Sequence, residues 1–411
     1  MTFLAQPGFP ALEPPSAARH AIPVMITPWY GGTHGGVAVA VEGLVHALHE
    51  NGTPAPVVHL DWEGLRPRRS IGAAGELVTE LCVRGAGSAR GRLRHRVGFH
   101  VRKRVAAATL GRLVQEHGVR VAHFHYVAFG MEVLVRLARE AGLGVVTTFH
   151  GSDVNVLLQE PATEDLVREL IGLSDRVVAV SGALAERLIE SVPTAAPKTS
   201  VIYNAIPLNL ARPAGEASHS EHARPEWDGL LVGKLIHRKG GDVLLDAAAR
   251  LVSARPDLRV ALAGSGEEES ALRAQARGLG IEENVVFLGE LARPDLLDAY
   301  RRSRVILAPS RAEGVPMVLF ESQWLGIPTV ASAVGGIPEM ITDGENGFLV
   351  KADDAAATAA AWMRLLEDDA LRHAIGARAA ALARERYAPR VMAVEYQRLY
   401  DGVATDAPIA G

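Results

Sequence analysis

Short β-rich apolar runs alternate with helix-patterned stretches along most of this chain, and they do so in two separate series. In the first, Ile22 to Thr27 leads into a helical pattern over Val37 to Glu50, followed by Ala55 to Leu60, Val119 to Phe124, Val145 to Phe149 and Arg176 to Val180. Such alternation is the mark of parallel strands joined by crossover helices, an α/β fold. From Pro207 to Pro225 the pattern breaks into Pro, Ala, Ser, His and Glu without an apolar period, which reads as an interdomain linker. The second series runs through Gly229 to Val232, a helical Asp242 to Ser253, Leu258 to Ala263, Val285 to Leu288, Val305 to Ala308, a helical Met317 to Leu325, and Thr329 to Ser332. The 411 residues then divide into an N-terminal extension (1–20), a first α/β domain (21–206), a linker (207–226) and a second α/β domain (227–389). Asp353 to Tyr400 reads as two or three helices, and the tail after Gly402 as frayed. Parallel sheets place ligands outside the carboxyl ends of their strands, so an interdomain cleft is the expected site.

Composition narrows the function. With 48% hydrophobic and 22% charged residues, the chain has ample material for two cores and is not a disordered one. A net charge of −4 gives no global reason to expect a nucleic-acid partner. The single cysteine, Cys82, makes no disulfide within the chain and no cysteine-based metal site, and reads as a small buried hydrophobe. That usage suits a reducing cytoplasm. The Pro- and Ala-rich start lacks the basic and apolar regions of a signal peptide, and no run of about 18 apolar residues spans a bilayer. Any membrane contact is therefore expected to be peripheral.

The strongest chemical cluster is E-G-V-P-M-V-L-F-E, which sets Glu313 and Glu321 eight positions apart after the expected strand Val305 to Ala308. Pro316 suits the first helical position, so Glu313 is expected in the entering loop and Glu321 about two turns inside. Free N–H groups around Met317 and Val318, with the helix dipole, offer an anion site suited to a diphosphate. Carboxylates beside it are better acceptors for neutral hydroxyls, so the pair suggests a ligand carrying phosphate and polyol. Read singly, Glu313 could be a helix cap and Glu321 a solvated side chain.

Upstream, G-K-L-I-H-R-K-G supplies Gly233, Lys234, His237, Arg238, Lys239 and Gly240 between a strand and a helix, where cations neutralise a diphosphate and glycines admit it closely. A-G-S-G-E at Ala263 to Glu267 is a second glycine-rich turn, incomplete as a dinucleotide fingerprint and equally readable as a tight turn. In the first half, G-G-T-H-G-G, with Gly31, Gly32 and Gly35, follows the first strand and lacks the Lys-Ser/Thr ending of a P-loop. T-F-H-G-S-D puts His150 just beyond a strand, where it could donate to a substrate hydroxyl, with Asp153 orienting the loop or capping the next helix. His123 and His125 share one strand face and read as packing or cleft lining, because nothing completes a metal set. G-x-S-x-G and H-E-x-x-H are absent. Between Cys82 and Gln115 nine Lys and Arg stand without an acidic residue, and Leu93, Val97, Phe99 and Val101 among them suit a segment (84–104) resting on anionic lipid; a solvated loop or a groove for an anionic acceptor is the alternative.

From Ile22 to about Tyr400 these pieces, in order, resemble the retaining glycosyltransferases of family 4, with the GT-B fold. The glycine loop, the His150 loop, V-I-Y-N at Val201 to Asn204, G-K-L…R-K-G, A-G-S-G-E, A-P-S-R-A-E-G-V-P-M-V-L-F-E and G-G-I-P-E-M-I-T-D-G-E-N-G-F-L-V all contribute. The resemblance implies two Rossmann-like doubly wound domains, a nucleotide-sugar donor bound mainly by the second and a hydroxyl acceptor by the first, and a closing helix (390–403) that crosses back. It implies donor contacts from Gly233, Lys234, Arg238 and Lys239, from Gly264 and Gly266, and from Gly314, Met317 and Val318. Glu313 would meet the donor-sugar hydroxyls, Glu321 the ribose and His150 the donor sugar near the reacting carbon, so that His150, Glu313 and Lys239 are the expected catalytic set; Gly31, Gly32, Gly35 and Asp153 would serve the phosphates or acceptor. No metal and no other cofactor is implied. Two positions depart from the family pattern: Lys234 stands where Arg is common, a point charge in place of a fork, and Val315-Pro316 stand where Phe-Gly is common. UDP donors, a cell-envelope or exopolysaccharide acceptor, lipid-linked or not, and a cytoplasmic site at the inner membrane face are the expectations. A small soluble acceptor, a nucleotide-sugar epimerase and an inactive sugar-nucleotide-binding partner are the competing readings.

Overall fold

The computed structural model describes residues 20–30, 36–61, 66–83, 93–155, 157–159, 161–206 and 225–406. The chain forms two compact units: one holds residues up to Ala179, Leu188–Ile202 and the chain from Met392, and the other holds Val180–Arg187 and Tyr203–Val391.

The first unit is built on β1 (Ile22–Thr27), α1 (Gly36–Glu50), β2 (Val57–Leu60), β3 (Arg68–Ile71), β4 (Leu77–Leu81), α2 (Leu93–His117), β5 (Val119–His125), α3 (Met131–Glu140), β6 (Gly144–Phe149), α4 (Ser152–Asn155), α5 (Pro161–Leu173), β7 (Arg176–Ala179), the end of α6 (Gly182–Ser191), whose residues up to Arg187 belong to the second unit, and β8 (Thr199–Val201). Its sheet runs β3-β4-β2-β1-β5-β6-β7-β8. Every pairing is parallel except that of β3 with β4. All residues of β1 and β6 are buried, as expected of strands covered on both faces.

The second unit follows with β9 (Gly229–Val232), α7 (Gly241–Val252), β10 (Val260–Ala263), α8 (Glu269–Gly278), β11 (Val285–Gly289), α9 (Arg293–Arg301), β12 (Ile306–Ala308), α10 (Met317–Trp324), β13 (Thr329–Ser332), α11 (Ile337–Met340), β14 (Phe348–Val350), α12 (Ala355–Glu367) and α13 (Asp369–Arg386). Its all-parallel sheet has the order β11-β10-β9-β12-β13-β14, the doubly wound arrangement that reverses direction between β9 and β12. Trp362 of α12 is fully buried and donates from Nε1 to the Asp228 carbonyl at 2.9 Å. Gly229 makes room for it, since a Cβ there would lie 2.4 Å from the indole. The last helix, α14 (Pro389–Asp406), belongs to the first unit from Met392 onward.

Three sequence expectations change. The strands β3, β4, β8 and β14 were not anticipated: R-R-S-I of β3 is an exposed edge strand without apolar alternation, and β8 and β14 are three residues each. The tail is not frayed at Gly402: α14 continues to Asp406, and Val403 and Ala404 are buried. Glu226, the last residue of the expected linker, is tied to the second unit by a backbone hydrogen bond to the Arg302 carbonyl, as is Trp227 after it. Residues 207–224 of that linker, the extension up to residue 19, and Gly31, Gly32 and Gly35 lie outside the described residues.

Candidate functional site

The loops after β9 and β12 flank the point where the strand order of the second sheet reverses, the position at which doubly wound sheets take their ligands. The first of them leaves β9 at Gly233, whose φ of 144° only glycine adopts readily. Next to it, a Cβ at Gly264 would lie 1.9 Å from the Gly233 carbonyl oxygen, and one at Gly266 would lie 2.2 Å from that of Leu235. The glycines of A-G-S-G-E are thus explained by the packing of one loop backbone on another, a requirement that holds with or without a ligand. Lys234 projects as an exposed side chain, while Arg238 and Lys239 are partly buried in a short 3-10 turn, His237–Lys239.

The loop after β12 folds onto that turn. Lys239 Nζ and Ser310 Oγ both bond Glu313 Oε1, at 2.5 and 2.8 Å. The Lys239 side chain is 19% exposed and that of Glu313 only 6%, so the pair is held largely out of water. Arg311 ties the rest. Its guanidinium forks onto Asp242 at 2.9 and 2.6 Å, its Nε reaches Asp353 at 2.7 Å, and its Nη1 also donates to the His237 carbonyl. The Arg311 backbone N–H donates to the Arg238 carbonyl. The fork holds the Asp242 carboxyl below the usual carboxylate range. Asp353 itself sits at φ 61°, a strained conformation for a non-glycine residue.

Pro316 is the N-cap of α10, not its first residue, because its ψ of 131° is still extended. Met317, Val318 and Leu319 are therefore the first three helical positions, and Leu319 N–H turns back to the Pro316 carbonyl. Glu321 lies about one turn inside the helix; two turns were expected from sequence, but even a start at Pro316 would put it only about one and a half turns inside. Its carboxylate is gripped from α9: Arg293 Nη1 at 2.5 Å on Oε1 and the buried Tyr300 hydroxyl at 2.6 Å on Oε2. Burial and the facing carboxylate push the Tyr300 phenol well above its usual value, so it stays a donor. Behind the loop, Gly336 N–H donates to the Gly314 carbonyl, and a Cβ on Gly335, at φ 54°, would lie 1.9 Å from the Glu313 carbonyl oxygen. The pair G-G therefore clamps the turn that carries Glu313.

In the first unit His150 follows β6. Asp153 lies inside the short helix α4, not at its cap, and its wholly buried carboxylate accepts from the N–H groups of His150, Gly151 and Val154. It organises the loop, with both oxygens turned to backbone N–H groups. Burial raises its carboxyl to about 6 despite those donors. His123 is a fully buried packing residue, bonded to Tyr400 and Thr148 hydroxyls at 2.7 Å each. His125 stacks beside it and meets His150. Burial lowers His150 to about 4, so its ring is neutral at neutral pH. Among the described residues no group of three or more His, Cys, Asp or Glu could hold a metal ion. Tyr30, just before the undescribed glycine loop, is anchored by a hydrogen bond to Glu76.

Sequence reasoning found Lys239, Glu313, Glu321 and His150 but missed Ser310, Arg311, Arg293 and Tyr300. Arg311 was within the quoted S-R-A-E-G motif, and Arg293 and Tyr300 stand seven apart on one helix face, yet no local pattern names their partners.

Residues 34–210 match the description Glycosyltransferase Family 4, and residues 218–382 match Glycosyl transferases group 1. Over 364 residues the chain is 30% identical to the D-inositol 3-phosphate glycosyltransferase of Acidothermus cellulolyticus, covering 82% of this chain and 79% of that protein. Over 309 residues it is 29% identical to the N-acetyl-alpha-D-glucosaminyl L-malate synthase of Bacillus anthracis, covering 73% and 79%. The crystal structure of Anabaena HepE in complex with UDP superposes with a TM-score of 0.68 at 19% identity, covering 93% of this chain and all of that one. Two doubly wound units of this kind define an enzyme of the GT-B glycosyltransferase class. The chain belongs to the family 4, or group 1, glycosyltransferases.

Proposed function

We propose that the protein moves a hexosyl group, with retention of anomeric configuration, from a UDP-sugar to a hydroxyl of a cell-envelope or exopolysaccharide glycan intermediate at the cytoplasmic membrane face. The observation that carries the donor half is the reversal point between β9 and β12, where the cationic turn His237–Lys239 and the start of α10 occur together. There the N–H groups of Met317 and Val318, with Lys234, Arg238 and Lys239, meet the pyrophosphate. Glu321, fixed by Arg293 and Tyr300, accepts from the ribose, and Glu313 accepts from the donor sugar. As the bond from the anomeric carbon to phosphate oxygen breaks, the acceptor oxygen bonds the same face of that carbon, and its proton passes to the departing diphosphate. Positive charge on that leaving group lowers the barrier, with no bound metal needed. UDP is favoured over GDP by the likeness to HepE, whose structure carries UDP.

A lipid-linked acceptor is favoured by α2, whose surface carries Val97 and Val101, each 55% exposed, with exposed Arg104 and Arg112. Arg84, Arg90 and Arg92 of the same basic segment lie outside the described residues. No described helix is long and apolar enough to cross a membrane. A small polar acceptor is the second reading, favoured by the two relatives named for malate and inositol 3-phosphate.

The test is a donor panel scored by nucleotide release, run with lipid-linked glycan intermediates, with inositol phosphate and malate, and without acceptor, in the presence and absence of EDTA. Acceptor-dependent UDP release, unaffected by EDTA and giving an α-linked product from an α-linked donor, is expected. Turnover without acceptor would favour the epimerase reading, and an inverted product would overturn retention. Binding to phosphatidylglycerol but not phosphatidylcholine vesicles, weakened by salt and by Val97→Asp, is expected of the lipid-linked reading.

A further inference from the structure

The rings of His123, His125 and His150 form a stack on the first unit, with centroids 3.9 Å apart for the first pair and 5.5 Å for the second. His150 follows the end of β6, while His123 and His125 are buried on β5, His125 as its last residue. His123 has both ring nitrogens engaged, Nδ1 with Tyr400 and Nε2 with Thr148, whose hydroxyl also meets Tyr396 at 3.1 Å. It is locked from α14. His125 has one engaged nitrogen: Nδ1 lies 3.3 Å from His150 Nε2, while its Nε2 is buried and finds no partner among the described residues.

That asymmetry decides where the protons are. All three rings are neutral at neutral pH, because burial lowers each, so each carries one N–H. If His150 donated from Nε2, the proton of His125 would sit on its own Nε2 as a buried, unpartnered N–H. Such orphaned donors are rarer in folded proteins than acceptors short of a donor. With the proton on His125 Nδ1, the ring donates to His150 Nε2 and leaves only a bare lone pair buried. His150 must then carry its own proton on Nδ1.

We infer that His125 is a positioning residue: its Nδ1–H fixes His150 in the Nδ1–H form, so that the substrate-facing histidine offers one neutral donor and does not serve as an acid. The inference rests on the reading above that His150 meets the substrate. A tautomer is a geometric commitment, because the wrong one presents a lone pair where a donor is needed.

Nitrogen-15 spectra of histidine-labelled full-length protein at pH 7 test it directly. His150 is expected to show a protonated Nδ1 and a bare Nε2 in the wild type. In His125→Leu the signals should move toward the opposite form, and kcat should fall about 10²-fold, the size of losing one placed donor, with little change in donor KM. His125→Asn, which keeps an N–H near the Nδ1 position, should recover most of that loss and the wild-type spectrum. A wild-type His150 protonated on Nε2, or an unchanged spectrum in both variants, would overturn the inference whatever the activity. A correct spectrum with unchanged kcat in His125→Leu would instead remove His150 from the reaction.

Discussion

Lys239 and Glu313 are bonded to each other, and that pairing changes what removing either one does. From sequence, Glu313→Ala is a change that leaves the fold intact; with Lys239 largely buried against it, truncation strands a cation. Glu313→Gln keeps the shape and removes the charge. Its kcat/KM is expected to fall about 10²- to 10³-fold, and the melting temperature of the second unit to drop by several degrees through the unpaired Lys239. Lys239→Met with Glu313→Gln should restore the melting temperature and not the activity. Recovery of both would mean that the pair serves stability alone. Asp153 supplies a pH test. Its folded carboxyl, at about 6, lies above the unfolded value, so between about pH 4 and 6 the folded chain holds a proton that the unfolded chain has released. Its contribution to stability is complete below about pH 4 and is lost as pH rises through 6. The melting-temperature difference between wild type and Asp153→Asn should therefore shift against the wild type from pH 4 to 7; a flat difference would refute the raised carboxyl. Glu313, Lys239 and His150 were legible because their type and strand-end spacing speak for them. Their partners were not: Arg293 reaches Glu321 across 28 residues, and His125 looked like packing until its unshared nitrogen was seen.

The loop after β12 acts as one body because Arg311 binds the 3-10 turn, α7 and Asp353 at once. The alternation of apolar runs announced ten of the fourteen described strands, since buried parallel strands must be continuously apolar. It failed for β3, which is polar at the sheet edge, and for β4, β8 and β14; it set the start of α10 at Met317, as found, whereas the proline rule put Pro316 inside the helix. Proline at a helix start satisfies either the N-cap or the first position, and only the backbone angle of Pro316 distinguishes them. Arg311→Lys is a sharp probe of this body. It keeps the charge but cannot fork onto Asp242 while reaching Asp353. Lys239 would then lose its fixed place, and the donor KM is expected to rise about tenfold, or about 1.4 kcal/mol, with a smaller effect on kcat. A drop in kcat at constant KM would assign Arg311 to the chemical step instead.

The chain leaves the second unit at Val391 and ends in the first, so α14 is a late-made part of an early-made core. Met392, Ala393, Tyr396, Tyr400, Val403 and Ala404 are all buried, Gln397 accepts from Thr53 and donates to the Ala21 carbonyl, and Arg120 donates to the Ala404 carbonyl. Burying Met392, Tyr396 and Tyr400 alone contributes about 5–9 kcal/mol, comparable to the whole stability of a domain. Among the described residues, the hydrophobic clusters of the second unit built around Trp362, Phe320 and Tyr300 draw on no residue after Tyr387. A chain ending at Ala388 should therefore show two separated outcomes in calorimetry. The transition of the first unit is expected to vanish or fall by more than ten degrees, while that of the second remains near its wild-type temperature. Because the groups assigned to UDP all lie in the second unit, UDP binding by titration calorimetry should survive the truncation within a few-fold, and transfer should be lost. Loss of UDP affinity with the second transition intact would mean that the donor site needs the first unit, and the assignment of the nucleotide to the β9 and β12 loops would have to be withdrawn.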